Sequence, residues 1–453
     1  MAQGRTVNIA EVIETQQKSW FSVSLFLMCC LVMLVDGFNQ QSLNYAAPAI
    51  IKDWGINRAA MTLVFDVNIF GWMIGAVAFS MLADRIGRRH SILIAVFTFG
   101  VFTVAIPLAA NIGQLAVIRF ASALGVGGAM PMAISLLADY AQSKTRALKV
   151  TLLYLGYTVG SSGGGFLAAA LTPNYGWKSV FLTGGGVSIL IGFALLFALP
   201  ESVRFLVLKH GAKERILHYA RKLQPDTEFA PDTEFTLAEA TRKGVPVTHL
   251  FTEGRTAMTV FLWFALGLTF VTHFFLSAWL STLFSEYSSR MSIPNAQMTQ
   301  ALFQMGTAFS FIVGYLIDKR GIPALVWIVL IGALPVAGLG FVHGTAATMA
   351  LAFAAGLPVN GSGVGLNAIA SMMYPTFIRS TGTGAAFAAA RVGALMGPAI
   401  AGYLIYIETP LPLIFLAGAL PMLAAGATAF MLDRSMTPAA QAEMASRSAL
   451  ARH

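Results

Sequence analysis

Charged residues are scarce in this chain: they make up 11% of its 453 residues, whereas 57% are hydrophobic. Soluble domains carry about 25% charged residues, so this composition cannot cover a soluble exterior. Cysteine is rarer still, and Cys29 and Cys30 are adjacent inside the first apolar run. That arrangement excludes a disulfide framework and reads as small packing residues. No nucleophile, base and orienter set is visible in the sequence, and no cluster of metal-ligand residues, so an enzyme or a metal or cofactor site is not expected. A cleavable signal is not expected either, because the first apolar run is too long and has no small-residue cleavage site.

Long apolar runs, by contrast, are abundant. Twelve segments of spanning length run over 20–46, 59–82, 90–110, 113–138, 149–172, 178–199, 256–284, 296–317, 323–343, 346–373, 381–406 and 410–432. Each meets the need for about 20 residues per helix across the hydrocarbon. The expected fold class is an all-α membrane protein of twelve transmembrane helices in two pseudo-symmetric six-helix bundles. Its divisions are an N-terminal tail over 1–19, a bundle over 20–199, a linker over 200–255, a second bundle over 256–432 and a C-terminal tail over 433–453.

The net charge of +9 could suggest nucleic acid, but the basic residues sort by side of the membrane. Arg5, Lys18, the Arg85 and Lys144 clusters, the linker, Lys319, Arg320, Arg379 and Arg434 fall on one side, while the other holds Lys52, Arg58, Lys178 and Arg290. Under the positive-inside rule both termini are cytoplasmic, and a multi-pass inner-membrane location follows. The linker mixes nine basic with eight acidic residues and contains Pro-Asp-Thr-Glu-Phe at 225–229 and again at 231–235. It reads as solvated, with one short amphipathic helix near 211–223.

The informative repeat is longer in range. Asp84-Arg85-Ile-Gly87-Arg88-Arg89 follows the second span, and Asp318-Lys319-Arg320-Gly321 follows the eighth. Related six-helix halves place a substrate cavity between them near the bilayer midplane. These motifs resemble the major facilitator superfamily over Trp20 to Leu432, although Ser80 replaces the usual leading Gly and His90 the usual last base. Arg119 with Gly125, Gly127 and Gly128 is similar to the superfamily's fourth-helix motif, and Pro200-Glu201-Ser202-Val203-Arg204-Phe205 to the one that closes the sixth. Asp36-Gly37-Phe38-Asn39 resembles the first-helix motif of the aromatic acid:proton symporters, with support from Gly125 to Pro131 and from Tyr374 through Arg379 and Arg391 to Ala394. That family usually has a second acid where this chain has Asn39.

The resemblance implies import of a small aromatic carboxylate together with protons. The lower proton stoichiometry is expected, since Asn39 removes one acid, and a monomer suffices. A carboxylate at a helix centre costs roughly 2.5–3.5 kcal/mol on insertion scales, so Asp36 reads as a functional acid. Desolvation favours a neutral carboxyl and a nearby cation the charged one, so protonation at Asp36 can follow what fills the cavity. Arg119 and Arg391 are the basic side chains in the interior of the spans. Arg391 is the candidate carboxylate fork and Arg119 shares the proton-coupling role with Asp36.

Other polar or aromatic candidates for substrate contact are Asn39, Gln40, His273, Gln304, Asn367, Phe38 and Tyr45, each of which could instead be helix-to-helix packing. Asp84, Arg85, Gly87, Arg88, Asp318, Lys319 and Arg379 are the candidate gating residues, and the superfamily resemblance implies ion-paired latches at the cytoplasmic face. Two other functions fit the composition. One is transport of an aliphatic or sugar acid, and the other is ligand sensing without translocation.

Overall fold

The computed structural model describes residues 6–17, 19–209, 213–227, 229–230, 233–237, 247–374 and 378–436, without the side chains at 147, 318, 371, 379 and 380. Apolar composition makes helix the only economical state for these segments, since lipid leaves no other partner for the backbone N–H and C=O groups. Near the N-terminus, β1 (Thr6–Asn8) and α1 (Ile9–Glu14) precede the first crossing, α2 (Trp20–Trp54). Then follow α3 (Met61–Ile86), α4 (Arg88–Ala105), α5 (Ile112–Tyr140) and α6 (Ser143–Ala198), the short α7 (Val203–Leu208) and α8 (Lys213–Leu223), and β2 (Glu234–Thr236). The remaining helices are α9 (Thr256–Thr282), α10 (Ile293–Met305), α11 (Ser310–Arg320), α12 (Ile322–Gly338), α13 (Thr345–Met373), α14 (Arg379–Tyr406) and α15 (Leu411–Ser435).

Ten helices among the described residues are long and apolar enough to span a membrane. The 56-residue α6 is two crossings joined at Gly176, whose φ of 71° is left-handed. It therefore divides where the sequence predicts separate spans at 149–172 and 178–199. The shorter apolar α12 supplies another crossing, and α10 and α11 make one crossing through a tight turn at Gly306–Phe309. Twelve crossings result among the described residues, as the hydropathy pattern predicts.

The chain forms two compact units. The first comprises Met1–Gln40, Phe70–Ser161 and Phe181–Arg242; the second comprises Gln41–Ile69, Ser162–Val180 and Lys243–His453. The division passes through α2 between Gln40 and Gln41.

In the first unit, the segment expected to be a solvated linker is partly folded. Val203, Leu206, Val207, Ile216, Ala220 and Leu223 are buried in one core with Ile9, Val12 and Ile13 of α1. The amphipathic helix predicted near 211–223 is α8, with its apolar residues on the face turned to that core. β1 pairs in parallel with β2, Val7 opposite Phe235. Gln142 Nε2 donates to the Glu14 and Gln16 carbonyls at 3.1 and 2.9 Å, fastening the N-terminal segment to the end of α5. The Ser143 hydroxyl and amide both donate to Glu14 and hold its carboxyl below the usual range. Long-range apolar contacts with α1 explain the difference from the solvated reading, since the local pattern shows an apolar face on α8 but not the partner that buries it.

Candidate functional site

The first unit carries Asp36 on α2, with only 1% of its surface exposed. Its Oδ1 accepts no hydrogen bond among the described residues. The surrounding backbone is held very close to α6. A Cβ at Gly37 would collide with the Tyr157 carbonyl, and one at Gly160 with the Leu34 carbonyl. Glycines at these two positions are what let α2 and α6 approach around the acid.

One turn further along, Asn39 Nδ2 donates to the Val35 carbonyl and to Ser188 Oγ, both at 2.8 Å. Arg119, fully buried on α5, donates through Nη2 to the Asn39 carbonyl at 2.6 Å and the Gln40 carbonyl at 3.2 Å. The Tyr157 hydroxyl donates to Gln40 Oε1 at 2.5 Å. Phe38 is buried against Gly184. Asp36, Asn39 and Gln40 thus lie on two turns of α2, and Arg119 reaches over from α5 to grip the backbone at the last two of them.

In the second unit, the polar candidates join into a connected set. His273 Nδ1 lies 2.7 Å from Asn360 Oδ1, and Asn360 Nδ2 donates to the Phe303 carbonyl at 3.1 Å. With the amide oriented by Phe303, Nδ1 of His273 is the donor and Nε2 is left as the acceptor facing Ser277 Oγ at 3.4 Å. Gln304 Nε2 donates to Ser277 Oγ at 3.0 Å. Phe274 and Phe303 flank the imidazole, with ring centroids at 4.9 and 6.3 Å. Asn367 Oδ1, on α13, is buried and accepts no hydrogen bond among the described residues. Tyr45 is fully buried and its carbonyl accepts from Gln297 Nε2 at 2.9 Å.

Arg391 is partly buried on α14. That helix runs parallel to α9, since Gly393 abuts Gly267 and Gly397 abuts Val271. Continuing this register puts Arg391 level with Ala265 and about 12 Å along the axis from His273. Spacing along a single chain cannot reveal this interval, because it depends on how two helices are paired.

The candidate gating residues of the first unit form a dense cluster. Gly87 joins α3 to α4 with φ 98°, and Gly321 joins α11 to α12 with φ 71°. Both lie three residues after the repeated aspartate, so the sequence repeat is also a backbone repeat. Asp84 is exposed and 3.9 Å from Arg88, whose Nε is 3.6 Å from Asp139. Glu201 Oε1 accepts from the Arg88 and Arg89 amides at 2.8 and 3.1 Å. Tyr140 OH donates to the Glu201 carbonyl at 2.5 Å, and Ser202 Oγ donates to Asp139 Oδ2 at 2.5 Å.

Sequence reasoning missed Asp139, Tyr140 and Glu201 as members of this cluster. The available signal was Glu201 within the motif closing the sixth crossing, together with the free amides at the start of the helix that follows Gly87. Arg85 is exposed, and Lys319 lies 5.9 Å over the Tyr315 ring. The side chains of Asp318 and Arg379 lie outside the described residues. A Cβ at Gly87 would strike the Glu201 carboxylate, and a left-handed φ adds strain. Gly87→Ala should therefore destabilise the protein by about 1–3 kcal/mol; an unaltered thermal unfolding midpoint in detergent would contradict this placement.

Comparison with known proteins agrees with this architecture. A sequence profile of the Major Facilitator Superfamily matches residues 29–365. The gallate transporter of Pseudomonas putida is 33% identical over 423 residues, covering 92% of this chain and 93% of that protein. The 4-hydroxybenzoate transporter PcaK of Pseudomonas putida is 32% identical over 401 residues, covering 87% and 88%. The crystal structure of a bacterial homolog of the human lysosomal transporter Spinster, in an inward-facing and occupied conformation, superposes with a TM-score of 0.73 at 15% identity, over 93% of this chain and 98% of that one. With its twelve crossings and a profile match over most of its length, this chain belongs to the Major Facilitator Superfamily and is a multi-pass membrane transporter, not an enzyme.

Proposed function

We propose that the chain is a symporter that couples import of an aromatic carboxylate to protons by alternating access. The observation that carries the coupling is Asp36, a carboxyl 1% exposed in the middle of a membrane crossing, whose Oδ1 has no donor among the described residues. A buried charge without compensation costs several kcal/mol, so in this reading the carboxyl gives up its proton only when water or a cation reaches it during the transport cycle. The substrate class is supported by relatives named as gallate and 4-hydroxybenzoate transporters.

In this reading Arg391 pairs with the carboxylate through its planar fork. The chain from His273 to Asn360, with Ser277 and Gln304, supplies donors and acceptors for a ring hydroxyl. Arg119 ties α5 to α2 beside Asn39 and Gln40, so that a change at Asp36 is felt along the crossing. The Asp84 and Arg88 cluster latches one face, with Arg85, Gly87, Asp318, Lys319 and Arg379 in the same role. The distribution of Lys and Arg supports cytoplasmic termini and residence in the inner membrane. A single polypeptide suffices.

One proton with one monocarboxylate is electroneutral, and each pH unit then supplies about 1.4 kcal/mol, or roughly tenfold accumulation. A second proton would add about 2.3 kcal/mol per 100 mV. The test is uptake of a panel of labelled hydroxybenzoates into proteoliposomes, with and without an inward proton gradient. Gradient-driven accumulation without an uptake current is the expected result. No uptake of any aromatic acid would overturn the substrate class, and accumulation indifferent to the gradient would overturn the coupling.

A further inference from the structure

The first unit also carries a groove at the start of α2, about two turns or more before Asp36. It is an open groove of about 740 Å³ between the start of α2, the end of α6 and the helix α8. Arg89, Arg215, Arg221 and Lys222 line it, and no carboxylate does so among the described residues. Trp20 and Phe197, which are 78% and 87% exposed, form its apolar edge at the ends of two membrane crossings.

Each basic residue has a reason to be there. Helix α8 buries Ile216, Ala220 and Leu223 against the core and thereby presents Arg215, Arg221 and Lys222 on its open side. Lys222 Nζ lies 5.6 Å over the Phe21 ring, and Arg221 Nη2 donates to the Phe229 carbonyl at 3.3 Å. Arg89 Nη2 donates to the Leu196 carbonyl at 2.6 Å, but its buried Nε has no acceptor among the described residues. The basic side chains that line the groove, without a carboxylate among them, suit its wall to an anionic oxygen.

We propose that this groove binds the phosphodiester headgroup of an anionic phospholipid, with the acyl chains lying against Trp20 and Phe197. Positive charge alone would suit any phosphate. The exposed apolar edge at the ends of two crossings is what selects a lipid, because Trp20 is of the type that favours the boundary between headgroups and hydrocarbon and Phe197 adds an open apolar surface for acyl chains. Bound lipid would join α2, α6 and α8 at one point and stabilise the folded cap formed by α1, α7 and α8.

The experiment exchanges the full chain into micelles containing equal phosphatidylglycerol and phosphatidylcholine and counts retained lipids by native mass spectrometry. Wild type should retain phosphatidylglycerol preferentially. Removing two charges in Arg215→Gln/Lys222→Gln should weaken that retention roughly 25-fold, at about fivefold per basic residue near an anionic surface. Lys213→Gln, on the same helix but outside the groove, should leave it unchanged. Equal retention of the two lipids by wild type, an unaffected double variant, or an equal loss in Lys213→Gln would overturn the proposal. Complete displacement by millimolar inorganic phosphate would overturn it too, by assigning the groove to a free anion.

Discussion

Asp36→Asn should abolish accumulation while leaving the protein folded and able to bind substrate. Asparagine has nearly the same shape as aspartic acid but cannot take up or release a proton. Asp36 is 1% exposed and forms no ion pair among the described residues, so the amide breaks none and introduces no buried charge. With a gradient of one pH unit, wild type should reach roughly tenfold accumulation, and the variant should stop at equal concentrations on both sides. Counterflow exchange of labelled for unlabelled substrate separates coupling from general inactivity, since it needs no gradient and should persist. A variant that still concentrates substrate in proportion to the gradient would remove Asp36 from the mechanism.

The second large effect concerns Arg391. Replacing it with alanine should weaken substrate binding by about 100-fold to 4000-fold, because removing one partner of a buried charge pair costs about 3–5 kcal/mol. Arg391→Lys should recover part of the loss, since lysine restores the charge without the planar fork. Arg119→Lys should behave differently. Arg119 donates to the Asn39 and Gln40 carbonyls, so its loss should lower protein stability and the rate of uptake while changing affinity less. Equilibrium binding in detergent measures all three, and an unchanged dissociation constant in Arg391→Ala would place the carboxylate elsewhere.

The two effects also divide cleanly between the compact units, since Asp36 belongs to one and Arg391 to the other. Coupled accumulation with intact binding, lost only in Asp36→Asn, would separate the proton step from the carboxylate step. Loss of both properties in each variant would mean that neither residue has a separate role.

Much of the architecture was legible in the sequence. Hydropathy located the crossings because bilayer thickness and backbone hydrogen bonding demand about 20 apolar residues in helical form. Asp36 stood out because an acid inside such a run has no local excuse. The paired Asp84 and Asp318 motifs implied a repeat, and Gly87 and Gly321 share a left-handed turn at equal offsets.

Partners were not legible. Asn39 meets Ser188 across 149 positions, His273 meets Asn360 across 87, and Glu201 receives the amides of Arg88 and Arg89 across more than 100. No local pattern encodes such pairs, because each depends on which helices pack and in what register. The same reason hid the folded cap: the apolar face of α8 was legible as one side of an amphipathic helix, but not that α1 covers it. The sequence by itself determined the number of crossings and the positions of Asp36, Arg119 and Arg391 inside them, since the cost of placing a residue in lipid is set by that residue and its immediate neighbours. Only the tertiary structure decided which groups share a site, where α2 divides and what Glu201 holds, since those follow from contacts among helices far apart in the chain.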